Sequence, residues 1–413
     1  MFTKMAAEPK DRAAGLEALD LATQLVHAGE RQPPRPGTPV VTPIYTTATY
    51  TYDSMAEMDA VFADDERGFV YARYGNPTVH ALETALATLE AGAGAAAYAS
   101  GMAAIHAALV ACELAPGTTV LAAQDLYGTT TTLLNTVFMH SGVKTVTADF
   151  NDLTTLRATA HEVRPRVMLA ETISNPLLRV CDIEACAEIA HAVGARFIVD
   201  NTFASPLLCQ PLKLGADISV HSATKYLGGH GDAMGGIAVA REAELHAALV
   251  NMKKVVGGVL SVWEAHAILR GVKTLGVRVE RQCENARQLA ERLDGHERIA
   301  RVYHPGFGAN EAQRAVVERV LRRPYTGALV SLELGENTRA AAYRFMDALR
   351  LCVRLTSLGD VVTSVLHPMT ASHRGLGAER RRELGIGAGL VRISVGIEAI
   401  ADIVNDIEQA LAA

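Results

Sequence analysis

Short apolar runs, each ending on a polar residue, recur through the middle of the chain. "TVLAA" stops just short of Asp125, "RVMLA" ends before Glu171, and "RFIV" ends before Asp200. Between the last two lies "DIEACAEIAHAV", whose apolar residues fall at helical spacing. The run "GADISVHS" reads as one more strand leaving the core. Strands alternating with helices predict an α/β fold, with a mostly parallel sheet covered by helices on both faces. In such sheets ligands lie beyond the carboxyl ends of the strands, so the polar residues that follow these runs are candidates for one shared site.

The pattern changes towards both termini. "GVKTLGVRVERQCENARQLAERL" predicts a long helix, with Leu275, Val279, Ala286, Leu289 and Leu293 at three- and four-residue steps. Beyond it, "ALVSLEL" and "LVRISVGI" alternate like strands of a half-covered sheet, and "AIADIVNDIEQALAA" closes the chain as an amphipathic helix. At the other end, "RQPPRPGTPVVTP" and "IYTTATYTYDS" predict an extended arm without a core of its own. The expected organisation is an arm over residues 1–65, a large domain over 66–265 and a smaller α/β C-terminal domain over 266–413.

Composition narrows the class. With 49% hydrophobic and 20% charged residues over 413 positions, the chain can bury a large core. A formal net charge of −6 and the lack of a dense basic run argue against nucleic acid or an anionic membrane as partner. The six cysteines form no CxxC pair, which fits reduced, buried thiols in a cytoplasmic protein. Cysteine and histidine spacings suggest no metal site, and the charged N-terminal stretch has no signal-peptide pattern. Ala91 to Cys112 lacks Asp, Glu, Lys and Arg, but its alanines and glycines predict a loop and a buried helix rather than a membrane span.

Chemistry enters at "SVHSATKYLGGHGD". Lys225 follows the hydroxyls Ser222 and Thr224 where a buried strand meets a glycine-rich turn, and burying its ammonium is costly unless it is paired or deprotonated. Taken singly, Lys225 could be a structural ion-pair partner, and Asp200 a turn cap. Together they match what pyridoxal phosphate (PLP) requires: an amine to bond its aldehyde and a carboxylate to keep its ring nitrogen protonated. The phosphate needs backbone N–H groups at a helix N-terminus, which Ser100, Gly101 and Met102 of "ASGMAAIHAAL" can supply, and hydroxyls, which Ser222 and Thr224 can supply.

The motifs "YARYGNPT", "SGMAA", "DLYGTT", "ETISNP", "VDNTFASP", "HSATKYLGGHGD", "RGVKTL", "SLGD" and "VRISVGIE" occur in this order. From about Leu21 to the C-terminus the chain resembles the PLP-dependent enzymes of cysteine and methionine metabolism. That family includes cystathionine γ-synthase, cystathionine γ-lyase, methionine γ-lyase and O-acylhomoserine sulfhydrylase. The resemblance implies PLP-dependent transferase fold type I, with Lys225 as the Schiff-base lysine and Asp200 as partner of the ring nitrogen. Tyr127 is then expected to stack on the ring and to assist proton transfer. Gly101, Met102, Ser222 and Thr224 are expected at the phosphate, with Tyr71 and Arg73 reaching the phosphate of a neighbouring subunit. Arg392 is expected to clamp the substrate α-carboxylate, assisted by Ser357 and by Asn175, which also meets the cofactor's ring oxygen. That sharing would need more than one subunit, and the resemblance implies a homo-oligomer, a dimer of dimers. His221 and His230 receive no chemical role.

Within the family, cystathionine specialists carry charged residues where this chain has Val70, Thr132 and Thr356. A second amino-acid head would meet no charged partner at those points. Thr129 stands where methionine γ-lyases have cysteine, Ile173 where a proline is usual, and Val362 where a glutamate is common. The expectation is γ-elimination on methionine, homocysteine or a similar sulfur amino acid, giving 2-oxobutyrate, ammonia and a thiol. The alternatives are γ-replacement on O-acetyl- or O-succinylhomoserine and, from another class, a PLP-binding protein without turnover; an aminotransferase fits the motif order less well.

Overall fold

The computed structural model describes residues 15–31, 38–63, 68–307 and 311–413. The expected arm boundary at residue 65, part of the proline-rich piece and most of the N-terminal charged stretch lie outside them. Seven strands form the larger sheet: β1 (Gly94–Tyr98), β2 (Thr119–Ala123), β3 (Lys144–Ala148), β4 (Val167–Glu171), β5 (Arg196–Asp200), β6 (Ile218–Ser222) and β7 (Gly236–Ala240). Their order is β1-β7-β6-β5-β4-β2-β3. Pairings from β6 through β3 are parallel, and β7 runs antiparallel to both β1 and β6. All strands except β7 therefore point the same way, and their carboxyl ends share one edge, which is what gathers the polar strand ends.

The strands β2, β4, β5 and β6 coincide with the four apolar runs of the sequence. The uncharged stretch 91–112 differs from expectation. Its loop part contains β1, buried along its whole length, before the helix Gly101–Ala111. Alanine and glycine have weak strand preference, but here packing decides: a Cβ on Gly94 would stand 2.4 Å from the His246 ring, so only a small-residue strand can pass. Among the described residues no helix is long and apolar enough to cross a membrane.

The second sheet holds β8 (Ile299–Tyr303), β9 (Leu329–Leu334), β10 (Val353–Arg354), β11 (Ser364–Leu366) and β12 (Leu390–Ser394), in the order β10-β11-β12-β9-β8. The helix Leu275–Leu293 serves both cores. Leu275, Val279 and Cys283 pack in the cluster around the larger sheet, and Ala286, Leu289 and Leu293 in the one around the smaller sheet. Within the stretch expected to form the arm, Leu21–His27 is helical and Leu25 joins the larger core.

Candidate active site

A cavity of about 440 Å³ opens at the carboxyl edge of the larger sheet, facing β12 of the smaller one. Asp200 ends β5 and lies on its floor. The Thr202 N–H and hydroxyl both donate to Asp200 Oδ1, at 3.0 and 2.5 Å, because an aspartate two residues before a threonine closes a local turn. Burial raises the Asp200 pKa, while these bonds and the nearby His221 pull it down. The Thr202 hydroxyl also accepts the Ser222 N–H at 2.8 Å, tying the acid to the end of β6. Thr202 escaped the sequence reading, although the D-N-T spacing carries its signal.

Lys225 stands in the turn after β6 and lines the same cavity. Its Nζ donates to Ser357 Oγ at 2.8 Å, a contact across 132 residues of chain. Burial, with repulsion from Arg392, pushes its pKa down to about 8. The helix Gly101–Ala111 points its N-terminus at the cavity, with Ser100 capping the Ala103 N–H. A Cβ on Gly101 would lie 2.8 Å from Ser222 Cβ, and one on Gly236 would lie 2.0 Å from the Ser100 carbonyl oxygen. Glycine at both places lets the helix start abut β6 and β7, setting open N–H groups beside the Ser222 hydroxyl. Thr224 also lines the cavity, and its hydroxyl is engaged with the Gly235 backbone.

On the opposite wall Arg392, on β12, is buried at 3% exposure. Its Nη1 donates to Asn175 Oδ1 at 2.8 Å and its Nη2 to the Ser357 carbonyl at 3.3 Å, while Nε has no partner. Among the described residues no carboxylate forms an ion pair with this guanidinium, and burial lowers its pKa to about 10. A buried cation with an idle donor is built to receive an anion from outside the chain. Tyr127 lies on the rim, half-exposed, with Met102 and Asn175 also lining the cavity.

Three expected residues stand apart. Ser357 does not itself line the cavity but holds Lys225 and Arg392 from behind. Tyr71 and Arg73 lie away from this chain's cavity. The Arg73 guanidinium sits 5.5 Å from the Tyr71 ring and 4.9 Å from the Tyr74 ring, and donates to the Lys254 carbonyl. The histidines behave as structural donors: His221 pairs with the buried Glu90 at 2.5 Å, and His230 bonds the Gly228 carbonyl at 2.8 Å. The reading also gave no role to Glu171, a polar strand end it had noticed, which lines the cavity at the end of β4.

These residues suit PLP: an amine of low pKa, a buried acid, a helix N-terminus with a hydroxyl beside it and an aromatic rim share one cavity. Such a site on such a sheet defines a fold type I PLP enzyme. The chain belongs to the Cys/Met metabolism PLP-dependent enzyme family, whose profile matches residues 22–412. It is 40% identical over 393 residues to the L-methionine gamma-lyase of Pseudomonas putida, covering 95% of this chain and 97% of that protein. It is 39% identical over 400 residues to the O-succinylhomoserine sulfhydrylase of Pseudomonas aeruginosa, covering 96% of each. The cystathionine gamma synthase of Xanthomonas oryzae pv. oryzae, solved with aminoacrylate and cysteine, superposes with a TM-score of 0.88 at 38% identity, covering 95% of this chain and 98% of that one.

Proposed function

We propose that the protein catalyses γ-elimination on a sulfur amino acid with a short, uncharged tail, such as methionine or homocysteine, releasing 2-oxobutyrate, ammonia and a thiol. The observation that carries this reading is the charge pattern of the cavity. Among the described residues, Lys225 and Arg392 are the only basic side chains that line it. Arg392 takes the α-carboxylate, so a second amino-acid head would find no cation among this chain's lining residues for its own carboxylate. Thr356, Leu358, Leu366 and Ala371 supply neutral surface there.

In this mechanism bound PLP supplies an electron sink for negative charge generated at the substrate Cα. Arg392 binds the carboxylate, and Asn175 fixes the guanidinium plane. Lys225, its pKa lowered, takes the proton from Cα, would hand it on to the bound cofactor–substrate adduct, and is then again free to take one from Cβ. Asp200, held by Thr202, keeps the proton on the ring nitrogen. Tyr127 gives a proton to the departing sulfur. Tyr71 and Arg73 serve the site of a neighbouring subunit.

A second reading, γ-replacement on an O-acylhomoserine, is favoured by the near-equal likeness to a sulfhydrylase. A substrate panel separates the two. Methionine, homocysteine and cystathionine are offered alone, then O-acetyl- and O-succinylhomoserine with sulfide or cysteine. Release of 2-oxobutyrate from methionine or homocysteine, with cystathionine the poorest of the three, supports elimination. Thiol-dependent homocysteine or thioether formation without such release overturns it.

A further inference from the structure

Glu171 ends β4 level with Asp200, its register partner on β5. It is buried and lines the cavity, yet none of the chemistry described above uses it. Its Oε1 accepts the Tyr127 N–H at 2.6 Å, and its carboxyl also accepts the backbone N–H of Asn175. Those two residues come from different places. Tyr127 follows β2 and brings the phenol, whereas Asn175 follows β4 and holds Arg392 through its side-chain oxygen. One side chain thus links the two walls between which cofactor ring and substrate must fit.

We propose that Glu171 is a positioning residue, setting the distance between the Tyr127 wall and the Asn175–Arg392 clamp through its two backbone hydrogen bonds. It performs this as an acceptor of hydrogen bonds, not as a charge. Asp200 and Asp125 lie near enough to disfavour its charged form, and among the described residues no cation is hydrogen-bonded to it. Burial and Asp200 together raise its pKa well above the ordinary carboxylate range, with Arg392 the opposite charge across the cavity. Glutamine keeps a carbonyl oxygen that can accept the Tyr127 N–H at the same reach. Charge is therefore dispensable here, while reach and the acceptor are not.

The inference rests on Tyr127 lying against the bound cofactor, and the test reads that contact separately from turnover. Wild type, Glu171→Gln, Glu171→Ala and Glu171→Asp are prepared as PLP holoenzymes. Visible circular dichroism of the bound cofactor, which reports its asymmetric surroundings and needs no substrate, is compared with kcat/KM on the best substrate of the panel. Glu171→Gln should keep the wild-type dichroism and a kcat/KM within about three-fold, since the acceptor and its reach are kept. Glu171→Ala should change the visible band and lose on the order of 10²-fold in kcat/KM, the scale expected when reacting groups shift by about 1 Å. Glu171→Asp keeps the acid but shortens its reach, should fall between the two, and decides the case if the alanine variant does not fold. The proposal is overturned if Glu171→Ala or Glu171→Asp leaves both readouts at the wild-type level, or if Glu171→Gln is as impaired as Glu171→Ala. Should no panel substrate turn over, the elimination reading fails while the dichroism still decides the role of Glu171.

Discussion

Arg278 fills the space that a side chain on Gly229 would need: a Cβ there would stand 2.0 Å from Nη1. The guanidinium is buried and donates through Nη2 to the Tyr226 carbonyl at 2.9 Å, directly after Lys225, and to the Gly271 carbonyl at 2.8 Å. Gly229 in turn donates its N–H to the Lys225 carbonyl and accepts the Val361 N–H at 3.1 Å. The turn that carries Lys225 is thereby locked to the loop that carries Ser357.

Gly229→Ala attacks that lock twice. Its φ of +73° costs a residue with a Cβ about 1–2 kcal/mol, and displacing a buried guanidinium adds about 1–3 kcal/mol of overpacking. The variant should unfold at lower denaturant concentration and lose activity at temperatures where it is still folded. An unchanged urea midpoint together with unchanged kcat would refute the coupling.

Much of the candidate site was legible because its residues ride on short, ordered motifs at strand ends. Asp200, Ser222 and Lys225 follow apolar runs that are unmistakable in the sequence, and their convergence follows from the strands running parallel. What stayed hidden depends on contacts between distant segments. Nothing local says that Ser357 accepts from Lys225, or that the Glu171 carboxyl bridges Tyr127 and Asn175. β1 was missed because an Ala-Ala-Ala-Tyr strand is dictated by His246 and the helices around it rather than by its own propensity.

Arg392→Lys should raise KM for the amino-acid substrate by about 10²-fold, since an ammonium cannot bond Asn175 and a carboxylate in the guanidinium plane. An amine that carries the same tail but no carboxylate should inhibit both proteins equally. That cycle isolates the carboxylate contact. If the lysine variant binds the amine more weakly by the same factor as the substrate, Arg392 shapes the cavity rather than clamping the acid.

Lys225 makes the cofactor-free protein respond to pH in a defined direction. In the folded chain its pKa lies at about 8, against 10.5 for an ordinary lysine. Between these values the unfolded state binds the additional proton, so this group makes stability rise with pH through that window and contributes a constant penalty below it. Lys225→Met should therefore be more stable than wild type near neutrality, and the difference should shrink as pH climbs towards 10.5. Urea midpoints of the two cofactor-free proteins measure it. A gap that does not narrow would place the lysine outside the buried, cationic setting described above.

Tyr71 and Arg73 provide the last test, because they do not line their own chain's cavity while Tyr71 is 43% exposed. If they complete the phosphate site of a neighbouring subunit, Arg73→Ala and Lys225→Ala damage different halves of one shared site. Each variant alone should be inactive or nearly so. Co-expressed, they should form mixed oligomers in which some sites combine an intact Arg73 from one chain with an intact Lys225 from the other, and part of the wild-type turnover should return. The sites that recover should also bind PLP more tightly than those of the Arg73→Ala protein, since an arginine fork suits the phosphate dianion. Mixed oligomers with no more activity than the better single variant would mean that Arg73 serves its own chain alone, through the Tyr71, Tyr74 and Lys254 contacts already seen.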